Sequence, residues 1–218
     1  MMTLATSPRP LAPRTALGEL TTRAAVVPIT VKQYQRMIDE GIVPEDSTVE
    51  LLRGVLVRKD RSVIGEDPMG HSPLHRMVVA LLTALAAKIN SDRRHLQIQL
   101  PVVCPPDGAP EPDAAVVRGS PRDYPNRLPG PGDVWCVIEA AHSSLERDRD
   151  DKLPIYAEAG VPQYVLINLQ NDTIELYSDP DPSAGVYRVK TTCLRHESLR
   201  LNLGEGESLQ IQGADLLP

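Results

Sequence analysis

Two carboxylates and one lysine stand where side chains of their type can do chemistry. Glu139 closes the apolar run Val134-Trp135-Cys136-Val137-Ile138, and Asp113 opens the run Ala114-Ala115-Val116-Val117. Short apolar runs bounded by turn residues read as central strands. A carboxylate at the rim of such a strand is costly to bury unless it is paired or binds a metal ion. The plain alternative is that both acids mark where strands emerge into solvent.

The third feature is the charged run Asp148-Arg149-Asp150-Asp151-Lys152. On a helix Asp148 and Lys152 are i,i+4 partners, and an exposed pair of that kind contributes about 0.3–0.5 kcal/mol. Acids at a helix start also suit the dipole, so a solvated helix start is the plain reading. Pro154 is tolerated only in the first turn of a helix. That predicts a helix over 150–159, ended by Gly160, with Lys152 at its mouth and its amine turned back toward a strand end.

The elements that must position these groups follow from periodicity and turn chemistry. Thr30 is an N-cap for a helix over 31–38, closed by Gly41. Residues 48–58 read as strand, tight turn at Gly54, strand, and 61–70 as a loop. Ser72-Pro73 opens the clearest helix, in which Leu74, Val78, Leu81, Leu82, Leu85 and Ile89 recur at helical spacing and face the core. Leu96, Ile98, Leu100 and Val102 alternate with Gln97 and Gln99, as on a half-buried strand. Further strands are predicted over 163–168 and 173–177, with weaker ones near 186–190 and 208–211. The order implies one α/β or α+β domain over 28–218 around a mixed sheet, preceded by a loosely ordered leader over 1–27.

The segments Glu50-Leu51-Leu52-Arg53-Gly54, Gln99-Leu100-Pro101, Glu111-Pro112-Asp113-Ala114-Ala115-Val116-Val117 and Val137-Ile138-Glu139 occur in that order. They are followed by Asp148-x-x-x-Lys152-x-x-x-Tyr156-x-x-x-Gly160-Val161-Pro162-x-Tyr164. As an ordered set, from about Tyr34 to Tyr177, they resemble the Uma family of predicted restriction endonucleases in the PD-(D/E)XK nuclease superfamily. The resemblance implies a restriction-endonuclease-like mixed sheet flanked by helices. It also implies a Mg²⁺- or Mn²⁺-dependent endodeoxyribonuclease acting on double-stranded DNA.

Carried over residue by residue, the resemblance makes Asp113, Glu139 and Lys152 the catalytic set, and Glu50, Asp113 and Glu139 the metal ligands. In the superfamily's standard motif the lysine stands two residues after the second acid, where this chain has Ala141; in the Uma family it has moved to the following helix, which selects Lys152. His75 and Gln99 are candidates for supporting the site or touching DNA, although a capping role for His75 and a solvent-facing role for Gln99 explain them equally well. The chain departs from the family at Arg53, at Ala140-Ala141-His142 and at Pro154.

Such residues suit phosphodiester hydrolysis. Hard oxygen ligands on a divalent ion neutralise charge at phosphorus and lower the pKa of a water, and a lysine ammonium positions that water or stabilises developing negative charge. Without metal, at least one of the crowded carboxyls is expected to have a raised pKa.

The formal net charge of −6 gives no global attraction to nucleic acid, so any DNA contact needs a local basic patch. Aromatic residues make up 3% with no Phe, which leaves the core to Val, Leu, Ile and Ala. Cys104, Cys136 and Cys193 form no CxxC pair and read as small core residues in a reducing compartment. With no membrane-spanning run, the cytoplasm is the expected location. A homodimer is expected, with 165–169 and 173–177 as contact surfaces near a sheet edge, since two sites match the two strands of DNA. The competing readings are a non-catalytic DNA-binding or dimerisation module on the same fold, and a small-molecule hydrolase using the same carboxylates.

Overall fold

Residues 114–118 and 134–141 hold almost nothing but small and β-branched side chains, so both faces of these segments must be covered. In the computed structural model, which describes residues 27–44, 49–59 and 72–218, they are inner strands of one sheet. The expected leader up to residue 26 and the expected loop over 61–70 lie outside the described residues.

Helix α1 (Val31–Asp39) begins at Thr30, whose side chain caps Gln33, as expected. The hairpin β1 (Val49–Leu52) and β2 (Val55–Arg58) turns through Arg53 and Gly54, both at positive φ (49° and 76°). Two successive residues at φ > 0 mark the tight hairpin turn that matches strand twist, so the unusual Arg53 sits in a position that favours Asn or Gly. Helix α2 (Pro73–Ile89) follows, and then β3 (Arg94–Ile98), β4 (Ala114–Arg118) and β5 (Val134–Ala141). A crossover made of α3 (Leu145–Arg147), a π-helical turn (Asp148–Lys152) and α4 (Leu153–Glu158) leads to β6 (Gln163–Asn168). Strands β7 (Thr173–Asp181), β8 (Val186–Leu194), β9 (Ser198–Gly204) and β10 (Glu207–Gln212) complete the order.

The six-stranded sheet runs β3-β4-β5-β6-β7-β8, antiparallel except for the parallel β5–β6 pair that the helical crossover requires. One face is covered by α2 and the β9–β10 hairpin, which bury Val78, Leu82, Leu85, Ile89, Trp135, Ile138 and Leu201 together. The other is covered by α4, with Val137, Tyr156, Tyr164 and Leu166 in its core. A small third cluster joins α1 to the β1–β2 hairpin through Tyr34, Val43, Leu51 and Ala109. This is a single mixed α/β domain, and the three cysteines are buried and unpaired within it.

Three expectations need correction. The buried stripe of α2 is Val78, Leu82, Leu85 and Ile89; Leu81 is half-buried and Leu74 is 41% exposed. The strand expected to reach Val102 stops at Ile98, since Gln99 adopts φ 48°, which turns the chain out of the sheet. Leu100 is consequently exposed, and Val102 is buried against the opposite face from Leu96. Segments 165–169 and 173–177 belong to strands interior to the sheet and are no contact edge; the outer strands are β3 and β8. Strand β9 was not foreseen, although Leu199, Leu201 and Leu203 alternate with Arg200 and Asn202 as on a half-buried strand.

Candidate active site

Cross-strand register lines up one row of side chains on the face covered by α4. Gln99 donates its backbone N–H to Asp113 O (3.1 Å), Ala114 pairs with Ile138 so that Asp113 comes beside Glu139, and Glu139 pairs with Leu166. The row continues from Leu166 to Glu175 and from Glu175 to Thr192. Because side chains alternate between faces along a strand, these residues look to the same side.

The π-helical turn lies over this row. The N–H of Leu153 bonds to Asp148 O, five residues back, and Pro154 follows with no N–H to give. In a regular helix its ring would strike the carbonyl of residue 150; the wider turn removes that clash, and the helical path therefore starts earlier than Asp150. Asp148 and Lys152 both turn inward, 2% and 3% exposed. The expectation of a solvated i,i+4 pair is therefore wrong, as is the reading of Asp113 and Glu139 as strand ends emerging into solvent, since both are buried.

Lys152 Nζ stands 2.9 Å from Glu139 Oε1, 3.1 Å from Glu50 Oε2 and 4.0 Å from Asp148 Oδ1. Glu139 Oε1 also accepts the Tyr156 hydroxyl at 2.9 Å. Glu50 reaches the cluster from β1, where its Oε2 accepts the N–H of Glu111 at 3.1 Å, and its buried Oε1 has no partner among the described residues. Asp148 Oδ2 accepts the Ser144 hydroxyl (2.6 Å).

Asp113 is held from three sides. Its Oδ2 accepts the N–H of Ala140 at 2.8 Å, its Oδ1 lies 3.4 Å from Gln99 Nε2, and His75 Nε2 approaches it at 3.1 Å. His75 is aimed by the start of α2, where the Ser72 side chain caps its backbone N–H (3.2 Å). The left-handed backbone at Gln99 keeps its side chain at Asp113.

Four carboxyls thus surround one ammonium and one imidazole. Burial pushes Glu139 up to about 8; Lys152 opposes the rise, while Asp148, Asp113 and Glu50 add to it. Asp148 is raised mainly by burial as well. Burial acts to lower Lys152, but Glu139, Glu50 and Asp148 outweigh it and hold the ammonium above its ordinary range. Burial acts to raise Asp113, yet His75, the Ala140 N–H and Lys152 keep it below the usual value. Lys152 and Asp113 are therefore charged at neutral pH, while the excess of acids over cations leaves Glu139 and Asp148 raised. Among the described residues no three His, Cys, Asp or Glu side chains stand ready to hold a metal ion as they are placed.

The structure brings Glu50, Glu139 and Lys152 into one group and His75, Gln99 and Asp113 into a second, and the two adjoin where Asp113 lies beside Glu139 and accepts the Ala140 N–H. Sequence reasoning did not single out Asp148 and Tyr156 as members. The signal was present: residues 148, 152 and 156 recur at intervals of four and share one helical face.

The family model Uma2, described as "Putative restriction endonuclease", matches residues 31–212. The chain belongs to the Uma2 family. All six clustered residues lie inside the matched span. No curated protein matches the chain. Among solved structures, this Uma2 member is similar to a crystal structure from Anabaena variabilis described as "a putative nuclease belonging to DUF820". The two share 13% identity with a TM-score of 0.60, covering 87% of this chain and 97% of that one. At that identity the likeness shows the Uma2 chain to have a nuclease-like fold.

Proposed function

We propose that the protein is a metal-dependent endonuclease that hydrolyses phosphodiester bonds in double-stranded DNA. The observation that carries this reading is the buried Lys152 ammonium held between Glu50 and Glu139, beside Asp113, on a nuclease-like fold in a restriction-endonuclease family.

The donor set fits a hard divalent cation. It offers several carboxyl oxygens, an excess of acid over cation, and a buried Glu50 oxygen without a partner among the described residues. Asp113, Glu139 and Glu50 would hold Mg²⁺ or Mn²⁺ there, exchanging present hydrogen bonds for metal–oxygen contacts. When bound, the ion supplies charge neutralisation at the phosphorus and a water of lowered pKa. Lys152 keeps its proton and presents a fixed positive charge to negative charge developing on the phosphate. Tyr156 orients Glu139, and His75 and Gln99 hold Asp113. Incubating supercoiled DNA with Mg²⁺ or Mn²⁺ tests the reading; absence of nicking by protein that binds the metal sinks it.

The present pairing of Glu50 and Glu139 with Lys152, and of Asp113 with His75, favours a second reading, a nuclease fold that binds DNA without cutting it. DNA retention without metal-dependent cleavage would select that reading. A cytoplasmic location and a homodimer belong to the proposal. No helix among the described residues is long and apolar enough to cross a membrane. Light scattering checks the dimer: about twice the chain mass of 23.8 kDa supports it, and the chain mass itself defeats it.

A further inference from the structure

Glu175 takes no part in the chemistry above, yet it is a buried carboxylate in the same cross-strand row as Glu139, two strands away. Nothing in the packing of an interior strand requires an acid there, and burying one without partners is costly. Its partners explain its place. Arg149 donates from Nε to Glu175 Oε2 at 3.3 Å and from Nη2 to Oε1, so the guanidinium grips both oxygens. Lys190 Nζ lies 3.0 Å from Oε2, and the Tyr177 hydroxyl donates to the same oxygen.

Arg149 leaves the same π-helical turn as Lys152, three residues earlier. The turn thus crosses the row with two cations, Arg149 down to β7 and Lys152 down to β5, and Leu166 of β6 lies between their acids. A two-oxygen guanidinium contact fixes direction as well as distance. The segment it fixes needs such an anchor: a π turn followed by Pro154 has irregular internal hydrogen bonding, and a segment of that kind opens locally more readily than a regular helix.

We propose that Glu175 is a positioning residue for Lys152. By gripping Arg149 it sets the register of the π-helical turn, and that register delivers the ammonium between Glu50 and Glu139. The functional part of this inference rests on the endonuclease reading; the positioning itself does not.

The test uses the full chain and two variants, Glu175→Leu and Arg149→Met; the second changes a half-buried side chain and keeps the assay available if the first fails to fold. Accessibility of Lys152 is read from its rate of acylation by an amine-directed reagent, located by peptide mass spectrometry, with exposed Lys88 as internal control. Amide exchange over residues 136–138 reports global opening. The expected result is acylation of Lys152 faster by about tenfold or more in both variants, with Lys88 and the 136–138 amides unchanged. In DNA cleavage, kcat falls while KM holds. Lys152 acylation that stays at the parent rate, or that rises only in step with exchange over 136–138, overturns the proposal and leaves a purely structural ion cluster. If the parent cuts no DNA, the endonuclease reading fails, and the acylation result still decides the positioning claim.

Discussion

Lys152 meets Glu139 from a separate element: its ammonium lies 2.9 Å from Glu139 Oε1 across thirteen residues of sequence. Ala141, two residues beyond Glu139 on the same strand, is buried in the core beneath α4. A lysine delivered by a helical crossover depends on that crossover's path, which is why the π-helical turn and Pro154 matter to where the ammonium lies. Replacing Lys152 with Met keeps length and bulk but leaves Glu50, Glu139 and Asp148 without their shared cation. We expect a loss of about 3 kcal/mol or more in urea unfolding at pH 7.5. A variant as stable as the parent would mean that the carboxyls are neutral without help from Lys152.

Glu139 supplies the pH dependence. Its folded pKa, raised to about 8, lies above the ordinary carboxyl value in an unfolded chain, near 4.3. Between these values the folded protein holds a proton that the unfolded chain has lost. By linkage this group's contribution to stability falls as pH rises across the window. Glu139→Gln, neutral at every pH, is expected to flatten that fall between pH 5 and 8. On the metal proposal, Mg²⁺ binding at pH 7 releases the proton, so the calorimetric heat varies with the ionisation enthalpy of the buffer. Equal heats in phosphate and Tris would contradict the release.

Gln99 stores a modest strain. A glycine at φ 48° is relieved of the side-chain clash, so Gln99→Gly is expected to alter stability favourably by about 0.5–1 kcal/mol. The same change removes the donor beside Asp113, and DNA cleavage is expected to drop. Urea unfolding and the cleavage assay, read side by side, check the trade. A destabilised variant with full cleavage would show that Gln99 serves the fold alone.

Much of the arrangement was legible in the chain. The apolar runs bounded by turns at 114–117 and 134–138 read correctly as central strands, because continuous Val, Ile and Ala need cover on both faces. Glu50, Asp113, Glu139 and Lys152 were selected together only through a family resemblance, since spacing alone explained the acids equally well as exposed strand ends. Their burial comes from long-range packing that no local pattern encodes. Spacing places Asp148 on the helical face of Lys152, but that this face is buried follows from the same long-range packing. The strand expected through Val102 failed at a single residue, Gln99, whose left-handed backbone carries no sequence mark as plain as a glycine. The β9 strand was legible and went unread, since Leu199, Leu201 and Leu203 alternate with polar residues in the period-2 pattern of a half-buried strand.

The central claim is that the Lys152–Glu139–Asp113 cluster cuts DNA. Its most direct measurement is single-turnover cleavage of supercoiled plasmid in 10-fold excess protein (about tenfold, to saturate binding), for the parent chain and Lys152→Ala, with and without Mg²⁺ or Mn²⁺. The account predicts nicking or linearisation by the parent only when metal is present, and a rate lower by roughly a hundredfold or more for a folded Lys152→Ala. A folded Lys152→Ala variant that cleaves as fast as the parent would contradict it.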